Sequence, residues 1–404
     1  MKITDVRALQ ILDSRGTPTI EVRLTAESGK TATYSVPAGA SKGENEAMEL
    51  RDGDALYHGQ GVQNAIELIN SQLKPEIMRR NFSDQKHFDD WLQTVDPSPQ
   101  KIELGGNTTL ALSGAFAHLA ALEQKLALWE YFQNISGNKP AFPHIFANLV
   151  NGGKHAPGLD IQEFMIVPKS TVPSQAIAQI YDFHAELQKM LVEKYGPSAK
   201  LVGDEGGMAP AGAKAEEILE IMHELCQNTG DMAIALDVAA SSFYSGATYT
   251  FEGQKLSSKD WSARLSGLAS KYGITSLEDP FAEIDEEAFI DYAATHPTGL
   301  IVGDDITVTD AKRIAGLAEK RAIRGVIIKP NQIGTVSQAI EAITTAQKHN
   351  LSVIISHRSG ETNDHLIIDL AYGFAADAVK IGAPRRGERV EKYNRLLEIE
   401  AHLV

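Results

Sequence analysis

Six charged or titratable residues, Asp237, Glu278, Asp304, Lys329, His357 and Lys380, recur at intervals of 41, 26, 25, 28 and 23 residues. Each closes or closely follows a short apolar run: 233–236, 274–277, 300–302, 326–328, 352–355 and 378–379. A lone charge after such a run is ordinarily a loop residue facing water. Six in phase, near the roughly 30 residues of one βα unit, place reactive groups at one end of successive strands. Three of the six are carboxylates. A hard divalent ion takes oxygen ligands, so Asp237, Glu278 and Asp304 together suit magnesium. The single cysteine, Cys226, leaves no thiolate cluster for zinc. Lys329 and Lys380 add the other half of the chemistry. A buried lysine near positive charge becomes a base, and a base beside a metal-held carboxylate substrate can take the α-proton.

Two pairs leave the inward-facing member open. Glu278 precedes Asp279 and Asp304 precedes Asp305, and alternation along a strand turns only one of each toward the interior. The other suits a cap for the following helix. Glu205 sits in the glycine-rich turn 203–207, where its neutral form would be favoured by a nearby carboxylate such as Glu163. In the segment 356–362, Arg358 and Ser359 stand at a strand-to-helix junction and suit a phosphate. The small residues of 37–43, among them Ser41, suit a mobile lid or a plain linker.

The elements that position these residues follow from hydrophobic periodicity. Strands are expected over 2–12, 19–25 and 31–36, then helices over 62–78, 84–95 and 108–132. This is a small α+β domain, taken as residues 1–136. Residues 137–404 carry the strand–helix alternation from about residue 200, which indicates a parallel sheet in an α/β barrel or a doubly wound fold. The stretch 110–128 is interrupted by His118, Glu123 and Lys125, and reads as a buried helix rather than a membrane span. The net charge of −15 disfavours nucleic acid and anionic lipid as partners. With one cysteine and no signal-like start, the expectation is a soluble cytoplasmic protein.

These segments together resemble the enolase family, the phosphopyruvate hydratases. The resemblance runs through Leu12-Asp13-Ser14-Arg15-Gly16, Gly39-Ala40-Ser41, Glu49-Leu50-Arg51-Asp52, Asn151-Gly152-Gly153, Gln162-Glu163-Phe164-Met165, residues 203–207, Ser276-Leu277-Glu278-Asp279-Pro280, Lys329 with Asn331-Gln332-Ile333-Gly334, residues 356–362 and Lys380 with Gly382-Ala383-Pro384. It spans nearly the whole chain, in order.

The resemblance implies a (β/α)8-type barrel of the enolase kind with an N-terminal α+β cap domain. It also implies a lyase of glycolysis and gluconeogenesis that interconverts 2-phospho-D-glycerate and phosphoenolpyruvate. Asp237, Glu278 and Asp304 would hold one Mg2+, and Ser41 would help hold a second. Lys329 would take the α-proton, Lys380 would stabilise the enolate, and Glu205 with Glu163 would protonate the leaving hydroxide. His155 and His357 would line the pocket, and Arg358 and Ser359 would bind phosphate. A homodimer or higher homo-oligomer is implied as well. Lysine bases working with magnesium are a general feature of that superfamily. Ala38 and Lys42 depart from the family's usual serine and threonine, and the loop after His155 is one residue short. These departures leave open a paralog acting on a related phosphorylated or phosphonylated carboxylate, of the carboxyphosphonoenolpyruvate synthase kind. A non-catalytic protein of the same fold is disfavoured, because the reactive side chains are all present.

Overall fold

The computed structural model describes residues 1–39, 43–53 and 55–403. The chain opens with an antiparallel meander of β1 (Ile3–Leu12), β2 (Pro18–Ala26) and β3 (Thr31–Ser35). Asp13 forms the first turn: its Oδ1 accepts from the backbone of Arg15 at 2.8 Å and Thr17 at 2.9 Å. Such an Asx turn explains an aspartate at this corner. The meander packs on the helix Gly106–Gln124, which is apolar on all sides and buried for nearly its whole length. No helix among the described residues is long and apolar enough to cross a membrane. The helical periodicity of 108–132 is cut in two. Lys125 adopts φ 58°, and a second helix runs over Leu128–Ser136.

Eight strands then close a barrel: β4 (His144–Asn151), β5 (Glu163–Pro168), β6 (Met232–Asp237) and, after a small three-stranded sheet of β7 (Tyr244–Ser245), β8 (Thr248–Phe251) and β9 (Gln254–Leu256), the strands β10 (Ile274–Glu278), β11 (Leu300–Gly303), β12 (Gly325–Ile328), β13 (Ser352–Ser356) and β14 (Ala378–Lys380). The barrel is not wholly parallel, contrary to the expectation from strand–helix alternation. β5 runs antiparallel to both β4 and β6. The cause is the short, helix-free link 152–162, which can only turn the chain back. Two helices, Pro173–Tyr195 and Ala215–Thr229, then lie between β5 and β6. The link between them carries residues 203–207 back to the barrel mouth, where Met208 donates to Leu149 and accepts from Asn151.

The barrel interior is filled by one apolar layer of Phe146, Met165, Ala235, Val302, Ile327, Ile354 and Ala378. Each comes from a different strand, which is how such barrels pack their centres. Side chains alternate along a strand, so the residue two places further toward the mouth also faces inward. Those residues are Asn148, Glu163, Asp237, Asp304, Lys329, Ser356 and Lys380, with Glu278 joining them from β10. All are buried. The apolar layer is therefore the floor on which a ring of polar and charged groups stands.

Candidate active site

The ring lines a small, tight cleft bounded by His155, Gln162, Glu163, Glu205, Asp237, Lys329, Ser356, His357, Arg358, Ser359 and Lys380. Every described residue singled out for chemistry in the sequence comes to this one end of the barrel. Ser41 and Lys42 lie outside the described residues.

Lys380 stands at the centre. Its Nζ lies 2.9 Å from Asp237 Oδ2, 2.8 Å from Glu278 Oε2 and 3.1 Å from Glu163 Oε1. Burial opposes its charge, but the three carboxylates outweigh burial and hold its pKa well above the usual lysine value. Lys329 Nζ donates to Asp304 Oδ2. Burial again pulls downward, the Asp304 charge wins, and Lys329 is raised. Its partner Asp304 is correspondingly lowered, burial being overcome by Lys329 and then Lys380.

The two adjacent acid pairs are resolved. Asp279 turns away from the interior with φ 39°. Its carboxylate accepts from the backbone of Asp304 at 2.9 Å and of Asp305 at 2.7 Å. It fixes the turn that presents Asp304, while Glu278 faces Lys380. Burial and then the adjacent Asp304 charge push Asp305 up to about 7.

Glu205 and Glu163 form the opposite wall. Glu205 Oε1 lies 3.4 Å from both His155 Nε2 and His357 Nε2, and its Oε2 accepts from Asn148 Nδ2 at 2.9 Å. His155 Nε2 is also 3.8 Å from Glu163 Oε1. Burial raises both acids. For Glu205 the two imidazoles outweigh it and the group is held well below the usual range. Glu163, pushed by burial and then by the Glu205 charge, is held well above. The difference lies in contacts: Glu205 faces two imidazoles and accepts from the Asn148 amide, while Glu163 faces Lys380, several acids and, at 3.8 Å, His155. Burial keeps both imidazoles below their usual value, His357 at about 4.

Arg358 is buried. Its Nη1 donates to Glu46 Oε2 at 3.0 Å and to Asn331 Oδ1 at 3.3 Å. The Ser359 hydroxyl accepts from Arg15 Nη1 at 3.2 Å. The cap reaches this corner through a backbone pair, Ala38 N to Gly360 O at 2.7 Å and Gly360 N to Ala38 O at 2.9 Å.

The donor set fits a divalent cation. Asp237, Glu278 and Asp304 offer only oxygen, with Glu163 and Glu205 beside them, and Lys329 and Lys380 reply to five buried acids. Glu278 is held well above its usual range by burial and then by Asp237, the mark of carboxylates short of positive charge. The tightest groupings of ligand atoms among the described residues are different ones: His155 with Glu163 and Glu205, and Asp279 with Asp304 and Asp305. In the first, Glu205 lies against two imidazoles, and in the second Asp279 is already committed to backbone N–H groups. Of the expected trio, Asp237 and Glu278 share the Lys380 ammonium, and Asp304 pairs with Lys329.

Sequence reasoning gave no role to Asn148, Gln162, Ser356, Glu46 or Gln332. Gln162 Nε2 donates to Asp237 Oδ2 at 3.1 Å. Asn148 is the one strongly polar residue in the apolar run of β4, and that break in an otherwise buried strand was the available signal. Glu46 and Gln332 gave none, because their meeting depends on the cap lying over the barrel.

Comparison with known proteins agrees with this geometry. Residues 3–132 match the family model for the enolase N-terminal domain, and residues 139–404 match that for the enolase C-terminal TIM barrel domain. The chain is 40% identical to the enolase of Aeropyrum pernix, over 98% of this chain and 94% of that protein. It is 40% identical to the enolase of Methanocaldococcus jannaschii (100% and 96%) and 41% identical to that of Elusimicrobium minutum (100% and 96%). A closed eight-stranded barrel, the cap sheet and these matches along both parts lead to one conclusion: the chain belongs to the enolase family.

Proposed function

We propose that this protein is a phosphopyruvate hydratase that reversibly dehydrates 2-phospho-D-glycerate to phosphoenolpyruvate. The observation that carries the reading is the placement of Lys329 and Glu205 on opposite walls of one cavity, with Lys380 and the carboxylates Asp237, Glu278 and Asp304 between them. Lys329 removes the proton α to the substrate carboxylate. Glu205, with Glu163, returns a proton to the hydroxide leaving from the neighbouring carbon. The two walls keep acid and base from neutralising each other. Lys380 places positive charge where the substrate carboxylate gains electron density, a stabilisation that a dry cavity strengthens. Arg358 and Ser359 hold the phosphate, and His155 and His357 orient the substrate from the Glu205 side.

Asp237, Glu278 and Asp304 would hold Mg2+, with two ions per site in the full reading and Ser41 at the second. Cations held there would supply positive charge at the substrate carboxylate, and Lys329, with Asp304 serving as a ligand, would act as the base. Residues 1–136 serve as the cap and 137–404 as the catalytic barrel. The protein works in the cytoplasm, as a homodimer or larger homo-oligomer, on a substrate of central carbon metabolism. The paralog reading has only Ala38, Lys42 and the short 152–162 link behind it.

The test is Lys329→Ala. Turnover should fall at least ~10^3-fold, the order of general-base catalysis or more. Exchange of the substrate α-hydrogen with solvent should vanish with it. Retained exchange in Lys329→Ala would assign the base to another residue.

A further inference from the structure

Glu46 belongs to the cap, far in sequence from the barrel residues it touches. It is buried, and its carboxylate gathers three donors. Oε2 accepts from Arg358 Nη1 at 3.0 Å. Oε1 accepts from Gln332 Nε2 at 3.2 Å and from the Gly43 backbone at 3.1 Å. Gln332 carries the contact further. Its Nε2 also donates to Asp304 Oδ1 at 2.9 Å, and its Oε1 accepts from Thr309 Oγ1 at 2.7 Å. The same hydroxyl accepts from the Lys329 backbone at 2.9 Å. Gln332 is also fixed through its carbonyl, which accepts from Ala47 N at 2.7 Å. One cap carboxylate therefore reaches the phosphate-side arginine directly, the proposed metal ligand through the Gln332 amide, and the backbone of the base lysine through that amide and the Thr309 hydroxyl.

We propose that Glu46 is a positioning residue that sets Arg358 and, through Gln332, Asp304 and Lys329 in register for the reaction. It builds on the reading of Arg358 as the phosphate-holding group. The chemistry demands a carboxylate there. All three neighbours donate, so the central group must be acceptor-only, which glutamine is not. Glu46→Gln keeps the volume but turns an N–H toward another donor. Glu46→Asp loses a methylene but keeps both acceptors. A packing role would rank the isosteric glutamine above the shorter aspartate; a positioning role ranks them the other way.

The experiment measures steady-state turnover and inhibition by inorganic phosphate in the magnesium-loaded protein, with thermal unfolding as a check on folding. Glu46→Gln should lower kcat/KM and weaken phosphate inhibition by at least ~10-fold, the scale of one lost charge-assisted hydrogen bond. Glu46→Asp should fall between that variant and the unaltered protein in both. Gln332→Ala cuts the arm to Asp304 and Thr309 but leaves the direct Glu46–Arg358 pair, so turnover should fall while phosphate inhibition stays within about twofold. These last two variants keep the test open if Glu46→Gln does not fold. Glu46→Gln at or above Glu46→Asp, or phosphate inhibition unmoved in both, would overturn the proposal. Arg358→Ala tests the reading beneath: phosphate inhibition unchanged in that variant would remove Arg358 as the phosphate group, whatever the ranking at Glu46.

Discussion

Lys380→Met removes one charge and little volume, and its cost in the metal-free protein can be worked from the contacts. The Lys380 ammonium lies 2.8 to 3.1 Å from Glu278, Asp237 and Glu163, all buried. Breaking a buried ion pair by deleting one partner costs about 3–5 kcal/mol, because the remaining charge is uncompensated. Unfolding entropy of roughly 2.1 cal/mol/K per residue over 404 residues gives about 1.2 °C per kcal/mol for one cooperative unit, hence a deficit of about 4–6 °C. The deficit must depend on pH. Glu163 and Glu278 are already held well above their usual value of 4.5 by burial and neighbouring acids. Loss of Lys380 raises them further. A group raised in the folded state takes up a proton there that the unfolded chain has released, at a cost that grows as pH climbs above 4.5. Thermal unfolding of chelator-treated protein should therefore show the full deficit near pH 8 and less than about half of it near pH 5. A deficit equal at both, or larger at pH 5, would refute the claim that Lys380 neutralises these acids.

Two other outcomes follow from the same contacts. A methyl group at Gly39 would lie 1.7 Å from Arg358 Nη2, so Gly39→Ala must displace the guanidinium; KM for the phosphorylated substrate should rise at least ~10-fold, the worth of one charge-assisted contact, with unfolding temperature little changed. His357 is held at about 4 by burial. The unfolded imidazole titrates near 6.5, so this group's contribution to stability is full above pH 6.5 and is lost as pH falls toward 4; His357→Asn should flatten the fall in unfolding temperature across that window.

The sequence carried much of this arrangement because strand ends repeat. Asp237, Glu278, Asp304, Lys329, His357 and Lys380 each follow an apolar run, and a closed barrel turns that phase into a shared mouth. What could not be read were partners brought from elsewhere. β4 and β5 escaped notice: β4 is a continuous buried run, and β5 has only six residues with no helix before it. The antiparallel course of β5 escaped with them. The direction of the Glu163 and Glu205 shifts turned on His155, His357 and Asn148, whose approach depends on the link between two helices folding over the mouth. The ion pair of Lys329 with Asp304 is a matter of geometry that no spacing encodes. Membership of the enolase family, by contrast, was legible in the ordered run of short motifs, and both family models match along the chain.

The central claim is that this barrel mouth removes water from 2-phospho-D-glycerate with the help of divalent cations. The direct measurement is formation of phosphoenolpyruvate from 2-phospho-D-glycerate by the purified protein, followed by absorbance, before and after chelation and after return of Mg2+. Turnover that is lost on chelation and restored by Mg2+ is the predicted result. A folded, Mg2+-loaded protein that forms no phosphoenolpyruvate would contradict it.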